Sequence, residues 1–175
     1  MCGAATEKHG VEFRSHLDGS KLFLGPKEAM EIQRYLGSDI AMIFDECPLH
    51  DAPAKEQQLA VERTIRWAKE CRDQPRAPGQ QIFGIVQGGR FEDLREESAK
   101  EISSMDFDGF GIGGSFSKED MMGAVQAAVK HLPEEKPRHF LGIGEPGDLL
   151  LGISEGMDTF DCVAATRHGR HGTIY

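Results

Sequence analysis

The sequence predicts an α/β fold built as part of a (β/α)8 TIM barrel, on three observations. Short apolar runs alternate with segments of helical spacing, no antiparallel turn signal separates them, and polar or glycine residues collect at the C-terminal ends of the runs. Strand–helix alternation without tight turns implies parallel strands, because a parallel pair needs a crossover connection. A doubly wound sheet would gather its chemistry at one switch point, whereas a barrel draws on the ends of several strands.

The elements follow in order. After a Gly-rich, mixed start, Pro26 stands at a first-turn position ahead of Ala29, Ile32 and Leu36, which predicts a helix. A strand is expected over Asp39–Phe44. Val61, Ile65 and Ala68 mark one face of the next helix, which must end before Pro75. A strand over Gln81–Val86 leads to a helix carrying Leu94 and Ile102, then to a strand over Asp108–Ile112. Ser117, with Asp120 three residues later, reads as a capping box opening a helix with Met121, Val125, Ala128 and Leu132 on one side. A strand over Arg138–Ile143, a short helix from Pro146 to Gly156 and a strand over Met157–Cys162 complete the pattern. Trp67 and the Met121-Met122 pair read as core.

That is about five βα units, against the roughly 250 residues of a complete barrel. The 175 residues are therefore expected to form a single partial barrel domain. A further strand is expected to start near Thr173-Ile174-Tyr175.

Composition narrows the function. No run approaches the roughly 20 apolar residues of a membrane helix, and Met1 to Gly10 carry no apolar export signal. Cys2, Cys47, Cys71 and Cys162 lie far apart without a Cys-x-x-Cys pair, so reduced thiols in the cytoplasm are expected rather than a disulfide scaffold or zinc knuckle. A net charge of −9 argues against a general nucleic-acid coat, since phosphate binding runs on Lys and Arg. A local basic patch nevertheless exists at Arg167, His168, Arg170 and His171.

The strand ends hold the candidate chemistry. Asp161 closes an apolar run, where an aspartate either points into a polar site or caps the next turn. Asp45, with Glu46, reads as a loop-capping carboxylate or as an acceptor of paired N–H groups, such as the N1–H and 2-amino group of guanine. Gln87, before Gly88-Gly89, offers an amide donor and acceptor to a ligand or to loop backbone. Gly109-Phe110-Gly111-Ile112-Gly113-Gly114 has glycines inside the strand and lacks the Gly-x-Gly-x-x-Gly spacing, which excludes a dinucleotide loop. Gly113 and Gly114 either expose backbone to a flat ligand or permit a tight turn. His168 and His171 match no metal spacing by themselves; with the two arginines they read as a loop meeting phosphates, or as a solvated loop.

Taken in order, these pieces resemble one family. Phe13-Arg14-Ser15-His16-Leu17-Asp18-Gly19-Ser20, Gly37-Ser38-Asp39-Ile40, Phe44-Asp45-Glu46-Cys47, Phe83-Gly84-Ile85-Val86-Gln87-Gly88-Gly89, Gly113-Gly114, Gly142-Ile143-Gly144 and Phe160-Asp161-Cys162-Val163 resemble the successive motifs of tRNA-guanine transglycosylases, from about Val11 onward. The resemblance implies an enzyme of queuosine-type tRNA modification. It would exchange a guanine in tRNA for a 7-deazaguanine (queuine, preQ1 or preQ0) through a covalent ribosyl-aspartate. It casts Asp161 as the nucleophile and Asp45 as the group binding guanine N1–H and the 2-amino edge. Gln87 and Gly114 N–H, beside Gly113, fall at the O6 side, Leu141 against the flat base, and Arg167 and Arg170 on the RNA strand. It implies tRNA and a free base as partners and a homodimer, as is common in the family.

The same resemblance places a second aspartate, the general acid/base, and its barrel strand upstream of Met1, and a structural zinc site of three Cys and a His downstream of Tyr175. No cofactor is expected in the chain itself, which alone is expected to be inactive. Ser115-Phe116-Ser117 stands where small apolar residues are usual, and Ala164-Ala165 where a proline often precedes Thr-Arg. The alternative is a non-catalytic relative that binds tRNA or a partner subunit. The joint presence of Asp45, Gln87 and Asp161 favours the enzyme.

Overall fold

A computed structural model describes residues 5–7 and 9–173. The further strand expected at Ile174-Tyr175 lies outside the described residues, as does Cys2. The described residues form two sheets. The smaller one is antiparallel, in the order β1 (Ala5–Glu7), β2 (Gly10–Arg14), β3 (Lys21–Leu24). The larger one is parallel and holds β4 (Ile40–Met42), β5 (Gln81–Val86), β6 (Gly109–Ile112), β7 (Arg138–Phe140) and β8 (Thr159–Phe160), each beside the next. Alternating with the strands run α1 (Pro26–Leu36), α2 (Ala54–Arg72), α3 (Glu92–Ser103), α4 (Lys118–Val129) and α5 (Pro146–Ser154).

The large sheet agrees with the expected partial barrel. Its strands pair in strict sequence order, so no point exists where the order reverses, and the five strands curl as an arc of a (β/α)8 barrel. β5 sits at the middle of the packing, with Ile82, Phe83, Ile85 and Val86 all buried. A strand covered on both faces reads as a continuous apolar run, and this one does. Met30 of α1, Ala68 and Cys71 of α2, Ala99 and Ile102 of α3 and Val125 and Ala128 of α4 close the same core. Trp67 is fully buried with its ring 5.0 Å from that of Phe44, and Met121 is buried as well.

The helix starts follow local chemistry. Pro26 opens α1, and the Glu28 carboxylate accepts from Gly25 N–H at 3.1 Å. Ser117 caps α4 by accepting from Asp120 N–H, while the Asp120 carboxylate takes the Ser117 hydroxyl instead of closing the box on the backbone.

The structure adds one element to the expected pattern and corrects one expectation. β1, β2 and β3 form an antiparallel meander, the β2–β3 hairpin turning through Asp18-Gly19, with Ser20 N–H and hydroxyl both bonded to the Asp18 carboxylate. An Asp-Gly pair between alternating apolar residues is a hairpin signal. The loop expected after Asp161 is instead a helix, α6 (Ala164–Arg170). Two alanines at its start favour it, and Arg167, His168 and Arg170 in its last turn suit the negative end of the helix dipole.

β4, β7 and β8 are also shorter than their apolar runs, ending at Met42, Phe140 and Phe160. Beyond these residues the chain leaves the ladder to build the loops at the C-terminal edge.

Candidate functional site

Those loops bring five of the candidate residues around one cleft. Asp45, Gln87, Gly113, Gly114 and Leu141 line it together with Cys47, Ile85 and Gly142. Its volume of about 250 Å³ lies below the about 300–1,000 Å³ of pockets for drug-sized molecules, so it suits a small ligand.

Asp45 is carried by a loop fastened to α2. Phe44 N–H donates to the Cys71 sulfur at 3.3 Å, and Glu46 N–H to the Thr64 hydroxyl at 3.1 Å. Glu46 turns away from the cleft into a two-pronged pair with Arg63, so of the two adjacent carboxylates only Asp45 faces the ligand space. The Gln87 amide donates to the Asp45 carboxylate at 2.5 Å, while Gln87 N–H is held by the Ser98 hydroxyl of α3 at 3.1 Å. The amide oxygen of Gln87 is buried and has no hydrogen-bond partner among the described residues. Burial raises the Asp45 carboxyl above its ordinary value; the bonds from Gln87 and from its own backbone N–H oppose the rise, and Glu46 adds to it.

The glycine pair continues the wall beside Gln87. A Cβ at Gly113 would stand 2.7 Å from the Gln87 amide nitrogen and 2.8 Å from Ile85. Gly114 has φ +119, and a Cβ there would meet the Arg95 guanidinium. Only glycine lets the backbone come this close.

Asp161 adjoins the cleft through Gly142. Gly142 N–H donates to Asp161 Oδ1 at 2.9 Å, and His139 Nε2 lies 3.1 Å from the same oxygen. The other nitrogen of His139 is 2.8 Å from the Thr159 hydroxyl. A carboxylate only accepts, so His139 carries its proton on Nε2 when neutral, and Thr159 supplies the O–H to Nδ1. The second carboxylate oxygen makes no bond to the described residues, and the side chain is 59% exposed.

Three groups that sequence reasoning passed over belong to this neighbourhood. His139 is one. Arg95 is another: it is fully buried and donates to the carbonyls of Val86, Gly89 and Gly113, behind the cleft wall. Its signal was visible, since it occupies the same helical stripe as Ser98 and Ile102, where an arginine is out of place. Cys47 is the third. Burial and the nearby Asp45 charge raise its thiol, while the Arg95 charge and bonds from Gly114 N–H and the Gln87 amide oppose the rise.

Arg167 and Arg170 lie one turn apart on α6, Arg167 exposed and Arg170 at its C-terminal end. Among the described residues no three His, Cys, Asp or Glu side chains converge on a metal position, and no helix is long and apolar enough to cross a membrane.

The comparisons with known proteins point one way. A family described as queuine tRNA-ribosyltransferase matches residues 2–175. A relative of that name from Anoxybacillus flavithermus is 49% identical over 172 residues, covering 96% of this chain and 45% of the relative. One from Desulforamulus reducens is 48% identical over 171 residues, with 96% and 46% covered. One from Moorella thermoacetica is 50% identical over 168 residues, with 94% and 45% covered. The chain thus spans a little under half the length of these curated relatives. With a match running from residue 2 to residue 175 and about half of all positions identical, this chain belongs to the queuine tRNA-ribosyltransferase family.

Proposed function

We propose that the chain is the central part of the catalytic barrel of a tRNA-guanine transglycosylase, which replaces a guanine of tRNA by a 7-deazaguanine. One observation carries this reading: a small cleft lined by a carboxylate, an amide bonded to it and a bare glycine backbone beside that amide, joined through Gly142 to a second, half-free carboxylate.

The roles follow from the donors and acceptors. Asp45 accepts from N1–H and the 2-amino group of the base, a pair that guanine and 7-deazaguanines share and adenine lacks. The second amide hydrogen of Gln87 and the N–H of Gly114 serve the O6 edge. Leu141 lies against the flat ring. Asp161 is the nucleophile: its free oxygen forms a bond to ribose C1′ as the bond from C1′ to the base breaks, the bonding pair leaving with the base. Charge that develops on the departing base spreads toward O6, where the two N–H donors meet it. The incoming base then displaces the aspartate from C1′, which restores the carboxylate. His139 and Gly142 N–H hold Asp161 by one oxygen and leave the other to react.

The protons of the leaving and entering bases are assigned to the family's second aspartate, which no residue of this chain matches, so the 175 residues alone are expected to be inactive. The structural zinc of the family is likewise assigned to the longer polypeptide, as is dimer formation. Arg167 and Arg170 hold phosphates of the RNA strand, and the target base must be unpaired or flipped to reach the cleft. The enzyme works in the cytoplasm, where its tRNA is.

The experiment is incubation of the full polypeptide with tRNA and radiolabelled guanine. Incorporation that requires Asp161, with a denaturation-resistant protein–RNA adduct, is the expected result. Incorporation that survives Asp161→Ala overturns the nucleophile assignment. Binding of tRNA without any exchange would leave a non-catalytic relative.

A further inference from the structure

Arg95 poses a problem that loop-fastening does not solve. It is completely buried, and among the described residues no carboxylate pairs with it. An unpaired charge is the most unfavourable group to bury. Neutral donors could tie three carbonyls together without that penalty. The guanidinium nevertheless gives Nε to Gly89 O at 2.8 Å and Nη1 to Val86 O at 3.0 Å and to Gly113 O at 2.5 Å. Nη2 is buried and has no hydrogen-bond partner among the described residues. Phe116 covers the group, its ring centre 4.8 Å from the guanidinium carbon, and the ring's negative face partly offsets the missing counter-ion. Burial lowers its affinity for the proton, although a guanidinium keeps its charge in proteins.

The bond to Gly113 O shows where the charge can act. Gly113 C=O and Gly114 N–H are the two ends of one planar peptide unit. With Gly113 C=O turned to Arg95 behind the wall, the N–H at the other end of the trans peptide points the opposite way, on the side of the cleft that Gly114 lines beside Cys47. Donation to a carbonyl withdraws electron density from its peptide and makes the N–H at the other end a stronger donor, as in any hydrogen-bond chain.

We propose that Arg95 is a positioning residue for the O6 edge of the base: through Gly113 O it fixes and polarises the Gly113–Gly114 peptide, so that Gly114 N–H meets the charge developing on the leaving purine. This rests on the base-exchange reading above. The arrangement keeps a full positive charge one peptide away from the base, dry and already oriented, where it needs no reorganisation during the reaction. Phe116 is the lid on that charge.

The test uses the full polypeptide and two ligands, guanine and 2-aminopurine, which lacks O6 and the N1–H; each Arg95 effect is read as the ratio of variant to wild type for the same ligand, so the missing N1–H cancels. Arg95→Gln can still donate to a carbonyl but carries no charge; Arg95→Lys keeps the charge. Arg95→Gln is expected to weaken guanine roughly tenfold or more relative to its effect on 2-aminopurine, and Arg95→Lys to recover part of that difference. Equal loss for both ligands in both variants makes Arg95 a structural tie and overturns the proposal. If Arg95→Gln does not fold, the wild-type protein decides: with glycine labelled with nitrogen-15, the Gly114 amide proton should move downfield on adding guanine and stay in place with 2-aminopurine. An amide that ignores guanine while guanine binds overturns the inference alone. Wild-type protein that binds no guanine at all overturns the base-site reading beneath it.

Discussion

The Gln87 amide donates to the Asp45 carboxylate at 2.5 Å, which joins the ends of two neighbouring strands whose residues stand 42 apart in the chain. The bond does two things at once. It points one carboxylate edge into the cleft, and it uses only one of the two Gln87 amide hydrogens.

Asp45 therefore gives a pH prediction. Its carboxyl is raised in the folded chain, chiefly by burial. The folded state holds that proton more tightly than the unfolded state, so this group's contribution to stability is fully present below its unfolded value near 3.8 and declines as pH rises through the raised one. A base that donates two N–H groups needs the ionised form. Affinity for guanine should therefore fall as pH is lowered through the same window, with a proton released on binding inside it. Calorimetry in buffers of different ionisation enthalpy measures that proton, and an uptake instead of a release would refute the assignment.

Asp45→Asn separates stability from binding. Asparagine still accepts from Gln87, yet it turns an N–H group toward the donor pair of the base. Guanine affinity should drop at least about a hundredfold, the worth of two charge-assisted hydrogen bonds. The melting temperature at neutral pH should hold or rise, because a buried ionised group is removed. Thermal unfolding beside equilibrium binding checks both halves.

His139→Ala should leave the base cleft alone and loosen Asp161. Only Gly142 N–H would then hold the carboxylate. A kcat lowered about tenfold with KM for the base unchanged is expected, since orientation of the nucleophile acts in the transition state. A change confined to KM would show that His139 serves binding instead.

The three glycines of the site should differ in their response to alanine. Gly142→Ala meets open space and carries only the strain of φ +76, about 1 kcal/mol. Gly113→Ala drives a methyl into the Gln87 amide and should abolish guanine binding before it unfolds the chain. Gly114→Ala combines φ +119 with a clash on the buried guanidinium and should destabilise most. Denaturant midpoints rank the three, and a Gly142 variant as unstable as the Gly114 one would contradict the geometry.

Arg167→Ala with Arg170→Ala should weaken tRNA binding and reduce its salt slope by up to about 2, one for each phosphate no longer neutralised. Binding titrations at several salt concentrations read the slope, and an unchanged slope removes both residues from the RNA surface.

The N-terminal meander and α6 show where sequence reading stops short. Val11, Phe13, Leu22 and Leu24 flank an Asp-Gly turn, yet so short a pattern is faint beside the longer βα alternation. Arg167 to Arg170 reads as a glycine-bearing loop because one glycine outweighs two alanines and a basic last turn. Arg95 is easily passed over for a different reason: its neighbours Glu96 and Glu97 make the stretch look solvated, and only its place on the Ser98–Ile102 stripe marks it as facing inward.

What the sequence determined by itself was the alternation of apolar runs with helical stripes, the parallel order that this imposes, and the polar residues that end each run. Periodicity and turn chemistry are local, so they can be read locally. Only the tertiary structure decided which of two adjacent carboxylates enters the cleft, that His139 and Gly142 N–H share one oxygen of Asp161, and that an unpaired arginine lies behind Gly113 and Gly114. Those relations depend on the close placement of loops from several different strands, set by packing between residues far apart in the chain, and no local pattern encodes them.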